Sequence, residues 1–130
     1  MKVIEAINEV DALKVNMYTK RQKIAWLNRL DLRIWNEIAL THEWNEDQLD
    51  NEGNPPTFDG YTEEDEESVL LVPEPYAEVY IRWLSAQIDL ANMETEAFNA
   101  SNAVFESLYS EFRNAYNQSH RPKGARKIYF

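Results

Sequence analysis

Apolar residues recur every third or fourth position in four separate segments of this 130-residue chain, and that spacing constrains the fold more than any other feature. A turn of 3.6 residues brings such positions onto one face, so each segment predicts an amphipathic helix that must bury its stripe against the others. In the first segment Val3, Ile7, Val10 and then Leu13 or Lys14 follow one line, and the run stops near Asn16, which predicts a helix over residues 2–15. Thr19-Lys20-Arg21-Gln22 reads as a capping box, the Thr19 hydroxyl taking a free backbone N–H while Gln22 reaches back. A second helix therefore begins at Lys20, with Ile24, Leu27, Leu30, Ile34 and Ile38 on its core face and Trp35 at the edge. Trp26 and Leu40 fall opposite that face, where each meets either the first helix or another subunit.

Pro75 suits the first turn of a third helix running from Tyr76. Its apolar positions Val79, Tyr80, Trp83, Leu84, Ile88 and Ala91 cover too much of the circumference for a surface helix, so it should be central. Asn92-Met93 predicts a turn, a single long kinked helix being the competing case. Phe98, Phe105, Leu108, Phe112 and Tyr116 mark a fourth helix ending near Ser119. Residues 69–72 and 126–130 have strand-like composition and are candidates to pair with each other or with a neighbouring chain. The fold expected is all-α, a four-helix bundle-like domain over residues 1–120 followed by a basic arm at 121–130.

Charge is distributed unevenly. Residues 43–67 hold eleven acids and no base, and the last eleven residues hold four bases and no acid. The acidic stretch also contains Gly53, Asn54-Pro55-Pro56 and Gly60, so residues 43–68 are expected to be a long mobile loop between the second and third helices, pinned by Phe58 and Tyr61. With 13 Lys plus Arg against 23 Asp plus Glu, a formal net charge of -10 repels phosphate and disfavours sequence-specific nucleic-acid binding. Cysteine is absent, which excludes disulfides and thiolate chemistry. No run approaches the roughly 20 apolar residues of a membrane span, and the acidic, amphipathic start is unlike a signal peptide, so a soluble protein made inside a cell is expected.

Chemistry-bearing constellations are scarce. His42 and His120 are isolated near expected helix C-termini, where the dipole and free carbonyls account for them. Gln48 to Gly53 with Asp59 matches a calcium loop only faintly, since Gln stands at the first ligand position. No catalytic, cofactor-binding or metal-ligating residue is therefore assigned, and the expectation is a protein that binds others and is not an enzyme. Asp31 and Gln87 interrupt apolar stripes, and Asp31 has no second acid at helical spacing to make a catalytic pair. They predict a buried polar network that sets helix register, with Tyr76, Tyr80 and Asn102 as partners.

The segments TKRQKIAWLNRLD, LLVPEPYAEVYIRWLSAQIDLAN and FNASNAVFESLYSEFRNAYNQSHRPK together resemble small acidic helical virion-assembly proteins of tailed bacteriophages and prophages of Gram-positive bacteria. The likeness rests on Trp26-Leu27, Leu30-Asp31, Pro73 to Tyr76, Tyr116-Asn117 and His120-Arg121-Pro122; Met93 departs from it, standing where a glycine is expected in the interhelical turn. The resemblance implies a head-tail connector or head-completion protein that docks on portal, capsid or tail proteins and self-associates in a ring, first in the host cytoplasm and then in the virion. On that reading the interface residues are Trp26, Leu40, Phe58 and Tyr61 with the arm residues Arg121, Lys123, Arg126, Lys127 and Tyr129, the arm reaching an adjacent subunit at its acidic loop. The alternative is a small acidic phage-encoded regulator or inhibitor whose surface mimics DNA and binds a host or phage protein.

Overall fold

In a computed structural model that describes residues 1–39, 42, 44 and 46–119, the four periodic segments become α1 (Val3–Leu13), α2 (Lys20–Glu37), α3 (Glu78–Ala91) and α4 (Thr95–Ser119). The fold is all-α, and among the described residues there is no strand. Val3, Ile7, Val10, Ile24, Leu27, Leu30, Ile34 and Ile38 are all buried, as the helical spacing requires. α3 is central: it packs most extensively on α4 and also contacts α1 and α2. Its buried residues include Val79, Tyr80, Leu84, Ser85, Ala86, Gln87 and Ile88, which span most of its circumference.

Helix boundaries follow local chemistry. Thr19 caps α2 as expected, its Oγ1 accepting from the Gln22 N–H at 3.1 Å while Gln22 Oε1 accepts from the Thr19 N–H at 2.8 Å. α1 stops at Leu13, two residues earlier than expected, because Lys14 turns extended and sends its ammonium inward to Asp89. α3 begins at Glu78, so Pro75 precedes the helix instead of occupying its first turn. Pro73 and Pro75 both push the residue before them out of helical geometry, and helix formation waits until both have passed.

The turn between α3 and α4 decides that they are separate helices. Glu94 N–H donates to Asp89 C=O at 2.9 Å and Met93 N–H to Leu90 C=O at 3.0 Å, a Schellman pair with Met93 at φ 59°. Met93 thus adopts the left-handed conformation for which a glycine was expected, and the turn is sharp without one.

The connection from α2 to α3 departs from the mobile loop expected. Its second half is fastened to the body: carbonyls of Ser68 and Glu66 accept from the Val3 and Ile4 N–H groups at 2.9 and 2.8 Å, capping the open N-terminus of α1. Leu70 N–H donates to Met1 C=O at 2.9 Å, and Val69 forms a single antiparallel bridge with Lys2. The strand expected at 69–72 is therefore one bridge to the N-terminus; its other expected partner, 126–130, lies outside the described residues, as does the whole arm from His120. Gly60, at φ 93°, lets the chain pass so close to α2 that an added Cβ would sit 2.9 Å from Asn28 Oδ1. Asn28 there holds both backbone groups of Tyr61, accepting from its N–H and donating to its C=O.

Candidate functional site

Asp31 is the centre of the first polar cluster. Helical spacing places it on the buried face of α2, and its side chain is 0% exposed. Oδ2 accepts from Tyr61 Oη at 2.6 Å and from the Leu71 N–H at 3.2 Å, and Oδ1 accepts from Tyr80 Oη at 2.7 Å. Tyr80 Oη in turn accepts from the Val72 N–H at 2.7 Å. One carboxylate thus joins α2, α3 and the connection between them. Burial pushes the Asp31 carboxyl above its usual range, opposed by the bonds from Tyr61, Tyr80 and Leu71. Both tyrosines are pushed up as well, first by burial and then by the adjacent carboxylate. A carboxylate with three donors and no exposed surface has no room for a substrate, so its chemistry is structural.

The second cluster was not anticipated. Asp89 of α3 is fully buried, holds the Lys14 ammonium, and accepts from Ser101 Oγ of α4 at 2.7 Å. Lys23 is also buried; its Nζ lies 2.6 Å from Asp11 Oδ1 and donates to the Tyr18 C=O at 2.9 Å. Tyr18 Oη donates to Asn92 Oδ1 at 2.6 Å. These bonds fasten the α1–α2 connection against the α3–α4 turn, so both lie at one end of the bundle. A lysine within an apolar stripe is the sequence signal for such a pair, but spacing does not name its acid.

That end carries an unusual surface. Val15 and Met17 are each 97% exposed and Met93 is 88% exposed, with Leu90 exposed beside it. A hollow of about 280 Å3 opens there between Leu90, Met93, Glu94, Thr95, Phe98 and Asn99. The polar bonds beneath tie together the two turns that carry these side chains. Isolated exposed apolar residues are ordinary, but several gathered at one braced end mark a contact surface.

The interface residues expected from sequence divide differently. Trp26 is half-buried, stacked edge-on against Tyr18 at 5.3 Å, and its carbonyl accepts from Trp83 Nε1 at 2.7 Å, so its contacts lie within the chain. Tyr61 is corrected from interface to core: it is buried and its hydroxyl is committed to Asp31. Phe58 is half-buried between Trp35 and Tyr61, at 5.8 and 5.3 Å. The pinning expected of Phe58 and Tyr61 is thus present, because an aromatic in a polar loop lowers its free energy most by docking on the nearest apolar face. Leu40, Arg121, Lys123, Arg126, Lys127 and Tyr129 lie outside the described residues.

Of the polar network, Asp31 and Tyr80 are joined as expected, whereas Gln87, Asn102 and Tyr76 make no bond to that carboxylate. Gln87 is buried on α3, Asn102 half-buried on α4, and Tyr76 packs on Phe112 at 6.2 Å; two loop groups, Tyr61 and Leu71, fill the places assigned to them. His42 does not end α2, which stops at Glu37, but is buried with its ring nitrogens 2.6 Å from Ile38 C=O and 2.8 Å from Asn117 Oδ1. It ties the segment after α2 to the far end of α4.

Among the described residues no group of three or more His, Cys, Asp or Glu side chains is arranged to hold a metal ion, and no helix is long and apolar enough to cross a membrane. No family model, curated protein or solved structure matches the chain.

Proposed function

We propose that this chain is a phage virion structural protein of the head-tail connector type, which acts by docking on portal or tail components and on copies of itself. The observation that carries the reading is the braced end bearing Val15, Met17 and Met93 almost wholly in solvent. Such side chains contribute nothing to the fold, and burying them against a partner gains roughly 25 cal/mol per Å2 of apolar area. The segments that resemble virion-assembly proteins supply the class of partner, and the buried polar clusters supply a body rigid enough to dock without rearrangement.

The test is co-sedimentation of the purified chain with the portal ring of the same virion at low and high salt. Apolar docking predicts a complex that survives 1 M salt, where the screening length falls to about 3 Å. A partner held only at low salt, through the acids of residues 43–67, would instead favour the DNA-mimicking regulator. Portal that sediments alone at both salt concentrations would end the connector reading.

A further inference from the structure

We propose that the C-terminal arm of one copy seats on the α3–α4 end of the next, its basic residues on Glu94 and Glu96 and its aromatic terminus in the hollow beside Met93. The inference rests on the ring-forming part of the proposed function and names the two surfaces that meet.

The receptor combines three properties. It exposes Val15, Met17 and Met93, it opens a hollow of about 280 Å3 walled by Leu90, Met93 and Phe98, and it carries acid at the rim. A hollow below the usual 300 to 1,000 Å3 of small-molecule sites is sized for a side-chain anchor. Glu94 and Glu96 are exposed and make no ion pair among the described residues, while the neighbouring Asp89 and Asp11 already hold Lys14 and Lys23. Glu94 and Glu96 therefore leave unpaired negative charge at this end.

Residues 120–130, HRPKGARKIYF, have the complementary composition: Arg121, Lys123, Arg126 and Lys127, no acid, and then Ile128-Tyr129-Phe130. Other acidic surfaces fit them less well. In the α2–α3 connection Glu66 and Glu67 are paired with Lys20 and Lys2, and Phe58 and Tyr61 are packed inward. A hollow of about 620 Å3 between α1 and α3 has Glu9, Glu74 and Glu78 on its rim, and of these Glu74 and Glu78 face the N-terminal ammonium and Arg82.

Length argues for a second copy. α4 has 25 residues and is about 37 Å long, with the hollow at its first turns and the arm leaving its last. Eleven residues span at most about 36–40 Å, so an arm could reach its own hollow only by lying fully extended along the helix. Seating on a neighbour needs no such extension. The contact is head-to-tail, and a head-to-tail contact repeats until it closes into a ring or continues as a filament.

The experiment mixes two full-length variants. One has the end blocked by Met17→Lys and Met93→Lys, the other has the arm blunted by Tyr129→Ser and Phe130→Ser; circular dichroism checks that both retain the helical fold. Sedimentation should show the unaltered chain associating, each variant alone weakened at least about tenfold, and their mixture pairing one to one, because one intact arm still meets one intact end. An unaltered chain that stays monomeric up to about 1 mM, either variant assembling undiminished, or a mixture that does not pair would each overturn the proposal. Portal binding by the same proteins separates the two readings. Binding by the unaltered chain with no pairing in the mixture removes only the arm contact, and pairing without portal binding removes only the connector role.

Discussion

Replacing Asp31 with Ala tests whether one buried carboxylate holds the α2–α3 connection to the helices. The substitution strands three donors, Tyr61 Oη, Tyr80 Oη and the Leu71 N–H. Each unsatisfied buried group costs about 1–3 kcal/mol, a gross loss of roughly 3–9 kcal/mol. Relief from burying the carboxylate offsets several kcal/mol of this, so a net loss of roughly 1–5 kcal/mol is expected, a large part of a typical domain's stability. Urea unfolding followed by the fluorescence of the four tryptophans measures it. The pH dependence adds a second, independent reading. Burial raises the Asp31 carboxyl, so the folded state binds its proton more tightly than the unfolded chain does. Stability must then fall as pH rises from the unfolded value near 4 through the folded one, and become level above it. Asp31→Asn lacks this term, so the difference between the unaltered chain and Asp31→Asn should shrink across that window. A loss below about 1 kcal/mol for Asp31→Ala, or a difference from Asp31→Asn that does not change with pH, would refute the reasoning.

Lys14→Met leaves fully buried Asp89 with Ser101 as its side-chain partner and should cost about 3–5 kcal/mol in the same titration, most of it recovered in the double variant Lys14→Met, Asp89→Leu. Met93→Gly should raise the melting temperature slightly, because relief of a left-handed conformation costing roughly 1–2 kcal/mol outweighs the added freedom of glycine in the unfolded chain, about 0.4–1 kcal/mol; a lower melting temperature would show that the Met93 side chain supports the turn.

The α1 stripe of Val3, Ile7 and Val10, the Thr19–Gln22 cap and the central position of α3 were legible in the residues alone, because apolar period and capping are properties of neighbours in the chain. The all-α class followed for the same reason. Apart from Asp31 with Tyr80, pairings between distant segments were not legible. The acidic composition of residues 43–67 argued for a mobile loop, yet backbone carbonyls of Glu66 and Ser68 cap α1, and every peptide group offers such an acceptor whatever its side chain. Spacing likewise brought Lys14 onto the α1 line as an alternative to Leu13 without showing that it would meet Asp89, 75 residues away. Nor does spacing reveal that Val15, Met17 and Met93 lie at one end: the two short turns are brought together only when Tyr18 reaches Asn92. Local energetics written in adjacent residues determined where the helices lie, and the satisfaction of buried charges and open backbone groups, which depends on what packing brings together, decided the rest.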